Sequence, residues 1–341
     1  MNSRLAAAAL LLAASQPLAA RSAQVALTFD DLPALTILDD QPYVNYLTQA
    51  LLRGLKRHRL RAIGFVNEGK LDELERPQQI ANLRRWLDAG MDLGNHTFSH
   101  ESPNTLGADD YVADIARGEP VTSALLQQHH KTLRWFRYPY LETGSPEAVR
   151  QTIDRWLVDH GYRVAPVTID ADDWVFAEPY DDAIAHRDEP RRLRIKAQYL
   201  AFMDDMIAWH RQAARGLFGR EISYVMLLHA TRLNADSMDE LASTLKRHHL
   251  RSVSLDHAMK DPVYRTRDHY VGKAGIGWLQ RWSTELDRPL PPNPFADPPA
   301  QIHEEYNRVD NDWPMERASQ GQGTAGVPHP RTDETTLPPH H

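Results

Sequence analysis

The sequence predicts an α/β protein, with parallel strands closed into a barrel and helices between them. Two observations predict it. Runs of strand formers alternate with segments of helical apolar spacing between residues 24 and 258, and strand–helix alternation of this kind implies a parallel sheet. The Asp, His and Arg clusters that stand out along the chain all fall at, or just past, the C-terminal end of a strand, which is where β/α barrels build their sites.

Residues 24–30 (Gln-Val-Ala-Leu-Thr-Phe-Asp) alternate, then stop at a second aspartate and Pro33, so they read as a strand ending in a loop. Val44, Leu47, Leu51 and Leu55 give helical spacing within residues 43–59. A second strand follows at 62–66, and Ile80, Leu83 and Leu87 mark a helix that stops at Gly90. Met91 to Gly94 leads into His96-Thr97-Phe98-Ser99-His100. Residues 111–130 are predicted as one helix, 133–136 as a strand leading to Arg137, and 147–160 as a helix ended by Gly161. Residues 163–169 read as a strand running into Asp170-Ala171-Asp172-Asp173-Trp174. A strand at 223–228 ends at His229, a helix covers 238–248, and the last strand covers 251–255.

Three regions lie outside this alternation. Residues 175–221 form a helical insertion in which Ile195, Tyr199, Phe202, Met206 and Trp209 make one face apolar, as a helix packed on the barrel requires. Residues 261–288, with Tyr270, Trp278, Leu279 and Trp282, are expected to pack back on the barrel. Residues 289–341 turn Pro-rich and polar and are expected to form a disordered tail.

The first twenty residues read as a secretory signal peptide: Arg4 is positive, Leu5 to Ala14 is a short apolar run, and Ser15 to Ala20 ends in small residues at an expected cleavage point. No segment reaches the length needed to span a bilayer, about 20 apolar residues. The chain has no cysteine, so any metal must be held by nitrogen and oxygen. The net charge of −7, mixed along the chain, argues against nucleic acid as a partner.

Asp30 and Asp31 end a strand, where their side chains point to opposite sides unless the loop bends them together. His96 and His100 are four apart, so a helix starting at Asn95 as its cap would put both imidazoles on one face. An Asp with two His leaves a fourth position for water, the catalytic rather than the structural arrangement. Arg137 can hold a carboxylate in a two-pronged grip, and Pro139 constrains the amide that follows it. His229, after an apolar strand, is expected to be half-buried, where a carboxylate partner would raise its pKa. Taken singly, each of these residues has a plain structural reading: a turn pair, a surface ion pair, a core histidine, a packed tryptophan.

As an ordered set, the chain resembles the polysaccharide deacetylase family, also called carbohydrate esterase family four or the nodulation-type deacetylase domain. The segments that carry the resemblance are Thr28-Phe29-Asp30-Asp31, His96 to His100, Arg137-Tyr138-Pro139-Tyr140, Asp170 to Trp174 and Leu227-Leu228-His229. The resemblance implies a distorted (β/α) barrel holding a divalent metal, usually Zn2+. It implies Asp31, His96 and His100 as metal ligands, and Asp30 as the base that activates the metal-bound water. Arg137 would orient Asp30, the Tyr140 backbone N–H would bind the oxyanion, and His229 would protonate the leaving amine. Asp173 would tune His229, with Asp170 as the other candidate for that role, and Trp174 and Leu227 would shape the acetyl pocket. Tyr138, Leu141 and Ala230 depart from residues common in the family, which leaves the shape of the substrate groove open.

The expected function is therefore a secreted or periplasmic deacetylase acting on N-acetyl or O-acetyl groups of a polysaccharide or oligosaccharide, with an acetylated glycan as its partner. The same residues would serve hydrolysis of a non-sugar amide, because the chemistry needs only a carbonyl at the metal. A binding protein on a catalytically dead barrel is the third reading, opposed by the presence of every ligand and the base.

Overall fold

The computed structural model describes residues 23–309. The signal peptide expected at 1–20 and the chain beyond 309 lie outside the described residues. Seven strands form one parallel sheet. They are β1 (Ala23–Leu32), β2 (Ala62–Val66), β3 (Asp92–Asn95), β4 (Trp135–Phe136), β5 (Arg163–Val164), β6 (Ser223–His229) and β7 (Leu250–Ser252).

Their order is β5-β4-β3-β2-β1-β6, with β7 paired to the first residues of β1. The chain continuing from β5 then reaches β6. Thr168 and Ile169 donate their amides to the Val225 carbonyl, and Leu227 donates back to Ile169. That contact closes the ring, giving the barrel that the alternation predicts, distorted as the resemblance implies. β4 and β5 are only two residues long, so the expected strand at 163–169 is regular only at its start.

The period-two geometry of β1 sorts its side chains. Val25, Leu27 and Phe29 point outward and pack with Leu51, Leu55 and Trp86 of the surrounding helices. Ala26 points inward, where Ile63, Phe65, Trp135, Ala165 and Val225 fill the barrel. Thr28 and Asp30 share Ala26's face, and Asp30, near the C-terminal end of β1, therefore stands at the top of a filled barrel rather than over a pore.

Around the sheet, helix Gln41–Arg57 is capped by Asp40, which accepts from Tyr43 N at 3.2 Å, and it buries Val44, Leu47, Leu51 and Leu55. The single helix expected at 111–130 is two, Ala108–Arg117 and Pro120–Gln128. Pro120 lacks an amide to continue the first helix and suits the start of the second. The last expected strand is shorter than predicted, and Leu255 opens the short helix Leu255–Ala258, capped by Ser254. The insertion holds two helices, Asp173–Ala185 and the 30-residue Glu189–Phe218, and its apolar stripe is buried. Helix Trp278–Glu285 buries Trp278, Leu279 and Trp282.

The Pro-rich region departs from the expected disordered tail within its described part. Helix Ala300–Val309 buries Ile302, Glu305 and Tyr306. Glu305 takes Arg191 at 2.6 Å and Arg194 at 2.5 Å, and the Tyr306 ring meets Trp174 edge-on at 5.2 Å. The prolines belong to the linker leading to this helix, and Trp209 Nε1 anchors it by donating to Pro292 O at 3.1 Å. No helix among the described residues is long and apolar enough to cross a membrane.

Candidate active site

β1 brings two carboxylates to one place by bending. Its register against β2 shifts between Phe29 and Leu32, and Asp31 takes a φ of 63°. The two aspartates, which an ideal strand would separate, thereby both approach His96: Asp30 Oδ2 lies 3.8 Å and Asp31 Oδ1 3.6 Å from its Nε2.

The His96–His100 segment is a loop, not the helix that its spacing allowed. Thr97 and His100 have φ of 67° and 61°. Asn95, expected to cap a helix, instead accepts from Thr97 N at 2.7 Å. Asp114 Oδ2 takes Phe98 N, Ser99 N and Ser99 Oγ at 2.9–3.2 Å, and so replaces the acceptors a helix would have supplied. Gly118 lies so close to the loop that a Cβ there would sit 2.7 Å from the Thr97 carbonyl carbon. The loop folds the imidazoles to 5.0 Å between centroids.

Asp31, His96 and His100 offer ligand atoms within 4.8 Å of one another. Asp31 Oδ1 stands 3.6 Å from His96 Nε2 and 3.3 Å from His100 Nε2. Ligand bonds of about 2.0–2.1 Å at a tetrahedral angle separate neighbouring atoms by about 3.3–3.4 Å, so the residues fit a cation. Two further observations agree. Asp31 Oδ1 is buried with no hydrogen-bond partner, a costly state that an ion would relieve. His96 Nδ1 lies 2.8 Å from the Arg137 carbonyl, which assigns the proton to Nδ1 and leaves Nε2 as a lone-pair donor. Burial and the neighbouring His100 push the His96 pKa well down, favouring its neutral form. Burial pushes Asp31 up, but Lys70, His100 and His96 outweigh it and hold its carboxyl below the usual range. Lys70 Nζ stands 4.0 Å from Asp31 Oδ2.

Arg137 is wholly buried and lies 4.8 Å over the Phe65 ring that plugs the barrel. Its grip on Asp30 is not the two-pronged one expected. Nη1 alone approaches both oxygens, at 3.2 and 3.5 Å, while Nε is spent on Ala165 O at 2.9 Å and Nη2 on Thr28 Oγ1 at 3.0 Å. Burial raises the Asp30 pKa to about 6 against the lowering effect of Arg137 and His229.

The carboxylate partner of His229 is Asp173. Its Oδ1 lies 2.7 Å from His229 Nδ1, and its Oδ2 accepts from the His229 amide at 2.7 Å and from Asn234 Nδ2 at 2.5 Å. Asp170, the other candidate, accepts from Asp172 N at 3.1 Å. Burial lowers the His229 pKa, but the charge and hydrogen bond of Asp173 outweigh it and bring it to about 10. Tyr199 from the insertion donates to Asn234 Oδ1 at 2.6 Å and completes the support. Thr28, Lys70, Asn234 and Tyr199 were missed as site residues. Asn234 carried a weak signal, as it follows His229 by five residues in the segment capped by Thr231.

Tyr140 sits in the short turn Pro139–Leu141 with φ 56° and ψ 10°, its exposed ring 4.6 Å edge-on from His100. Leu227 is buried, and Trp174 is half-buried against Tyr306. Tyr138 turns into the core, stacks on Tyr111 and donates to Asp154 at 3.1 Å. The main chain of Ala230 donates to Asp30 O at 3.1 Å.

Residues 19–165 match the polysaccharide deacetylase family model. Among curated relatives, the chain is 27% identical over 153 residues to a peptidoglycan-N-acetylglucosamine deacetylase of Bacillus cereus, covering 45% of this chain and 46% of that protein. It is 33% identical over 110 residues to a chitin deacetylase of Colletotrichum lindemuthianum, covering 32% and 42%. The chain thus spans less than half the length of either relative. Among solved structures, a family 4 carbohydrate esterase from Streptomyces lividans in complex with acetate aligns at 22% identity and a TM-score of 0.45, over 70% of this chain and 97% of that one. A polysaccharide deacetylase from Bacillus cereus aligns at 19% identity and 0.48, over 68% and 91%. Residues 19–165 are a polysaccharide deacetylase region, the family whose motifs the sequence displays.

Proposed function

We propose that this chain is an exported metal-dependent deacetylase that hydrolyses acetyl groups, foremost N-acetyl groups, of a polysaccharide or oligosaccharide. The observation that carries the reading is Asp31 Oδ1, buried without a hydrogen-bond partner and facing the Nε2 atoms of His96 and His100, with Asp30 clamped alongside by Arg137. The relatives' names supply the substrate class, and the first twenty residues supply the export.

Asp31, His96 and His100 would hold the ion, and their nitrogen and oxygen donors suit Zn2+. An ion there supplies Lewis acidity to the scissile carbonyl and acidifies a water.

Asp30 receives the proton of the attacking water. Its burial favours accepting that proton, and Arg137 keeps the carboxylate ionised and aimed until it does. The Tyr140 N–H donates to the oxygen that gains charge as the carbonyl becomes tetrahedral. His229, protonated at neutral pH and fixed through Nδ1 by Asp173, donates from Nε2 to the leaving nitrogen. The bond between carbonyl carbon and nitrogen breaks, and acetate and a free amine result. Trp174 and Leu227 border the acetyl group.

The test is acetate release by the zinc-loaded mature protein across acetylated glycans and oligosaccharides. Chelator-sensitive release from a glycan is expected. Release from small acylated amines with none from sugars would replace the substrate class by a non-sugar amide.

A further inference from the structure

The turn Pro139–Leu141 holds a conformation that its own sequence disfavours. Tyr140 and Leu141 are consecutive left-handed residues, with φ of 56° and 57°, and neither is glycine. Such backbone persists only where the surroundings over-determine it. Here the surroundings come from residues 268–281, beyond the segment that matches the family model.

Arg281 is the centre of that support. Its side chain is fully buried, 4.2 Å over the Trp278 ring and 5.0 Å over Tyr270. Nη2 donates to the Leu141 carbonyl at 2.7 Å, and Nη1 to Thr143 Oγ1 at 3.4 Å and Asp268 Oδ2 at 3.2 Å. Nε donates to Ile276 O at 3.0 Å. One guanidinium therefore ties the catalytic-side turn to the C-terminal extension. Gly275 presses from the same side, and a Cβ on it would overlap the Tyr140 carbonyl oxygen. Asn104 Nδ2 links the two segments again, bonding Glu142 at 2.8 Å and the Lys273 carbonyl at 3.2 Å.

We propose that Arg281 and Gly275 are positioning residues that set the Tyr140–Leu141 turn, so that the Tyr140 N–H and ring face the site. The inference rests on the proposed role of the Tyr140 N–H. It makes the C-terminal extension a part of the catalytic apparatus rather than packing added to the barrel. Leu141, where the family commonly has glycine, is tolerated because Arg281 holds its carbonyl.

The experiment compares R281K and G275A with the wild-type full chain. Zinc stoichiometry and thermal unfolding check the fold, kcat and KM read the reaction, and amide exchange reads the turn. G275A removes no hydrogen bond, so it keeps the test open if R281K folds poorly. Both variants are expected to bind zinc one-to-one and to lose about 10- to 100-fold in kcat, with KM changed less than about twofold. Exchange at Tyr140 to Thr143 is expected to quicken while the strands stay protected. Unchanged kcat in folded variants overturns the proposal. If the wild type releases no acetate from any substrate, the proposed function fails. The exchange arm still decides the inference, because unchanged protection of Tyr140 to Thr143 in both variants overturns it.

Discussion

The carbonyl oxygen of Arg137 lies 2.8 Å from His96 Nδ1 while its guanidinium holds Asp30, so one residue aims a metal-ligand candidate and the base candidate together. Asp30 and His96 cannot drift apart without moving the plugged barrel beneath Arg137. This coupling predicts that a change at Arg137 disturbs chemistry and metal binding together, whereas a small change at Asp30 itself disturbs chemistry alone.

Replacing Asp30 with Asn makes that small change. It keeps the volume and an oxygen facing Arg137 Nη1, and removes the proton acceptor. Turnover should fall at least about 10²- to 10⁴-fold, the range of a lost general base, while zinc stays bound one-to-one by mass spectrometry or calorimetry. Retained activity would remove Asp30 from the mechanism.

Metal should also be felt as stability. Asp31 Oδ1 is buried without a partner in the protein alone, so an ion that binds only the folded state relieves it. Zinc at 100 times its Kd should stabilise the protein by about 2.7 kcal/mol, and a chelator should reverse this. H96A should show no zinc-dependent rise in Tm. A zinc response as large in H96A as in the wild type would place the ion elsewhere.

The His229–Asp173 pair predicts a pH dependence. His229 has a folded-state pKa of about 10 against an ordinary 6.5, so the fold favours its protonated form. The stabilisation is complete below pH 6.5 and is lost as pH rises through about 10. Its full size is on the order of 5 kcal/mol. In metal-free protein, the wild type should lose stability against D173N across that window in denaturant titrations. In the loaded enzyme, the alkaline limb of the rate profile should move to lower pH in D173N. Parallel stability curves for the two proteins would show that Asp173 does not hold the proton on His229.

These residues were legible in the sequence because their chemistry is local: Asp30, Asp31, Arg137 and His229 end strands, and strand ends meet at one face of a barrel. What was not legible depends on distant partners. The four-residue spacing of His96 and His100 fits a helix, and only Asp114, far along the chain, shows why the segment is a loop. Tyr199 was hidden in an apolar stripe, since nothing local tells a packed tyrosine from one whose hydroxyl supports Asn234. Tyr306 and Ile302, four apart, carried a helical signal that the surrounding prolines masked.

Gly118 turns the loop explanation into a prediction. It follows helix Ala108–Arg117 and touches the Thr97 backbone, where a Cβ would stand 2.7 Å from the carbonyl carbon and 2.8 Å from its oxygen. Backbone cannot swing aside as a flexible side chain would, so G118A must push Thr97, the left-handed residue between the two histidines. No ligand is lost, yet the imidazoles are displaced relative to Asp31. Zinc affinity should drop about 10- to 100-fold, as when groups that orient ligands are removed. The cost in stability should be about 1–3 kcal/mol, as for an overpacked core. Calorimetric zinc titration and denaturant unfolding check the two numbers separately. Unchanged zinc affinity in a folded G118A protein would mean that the loop's path does not set the ligand geometry.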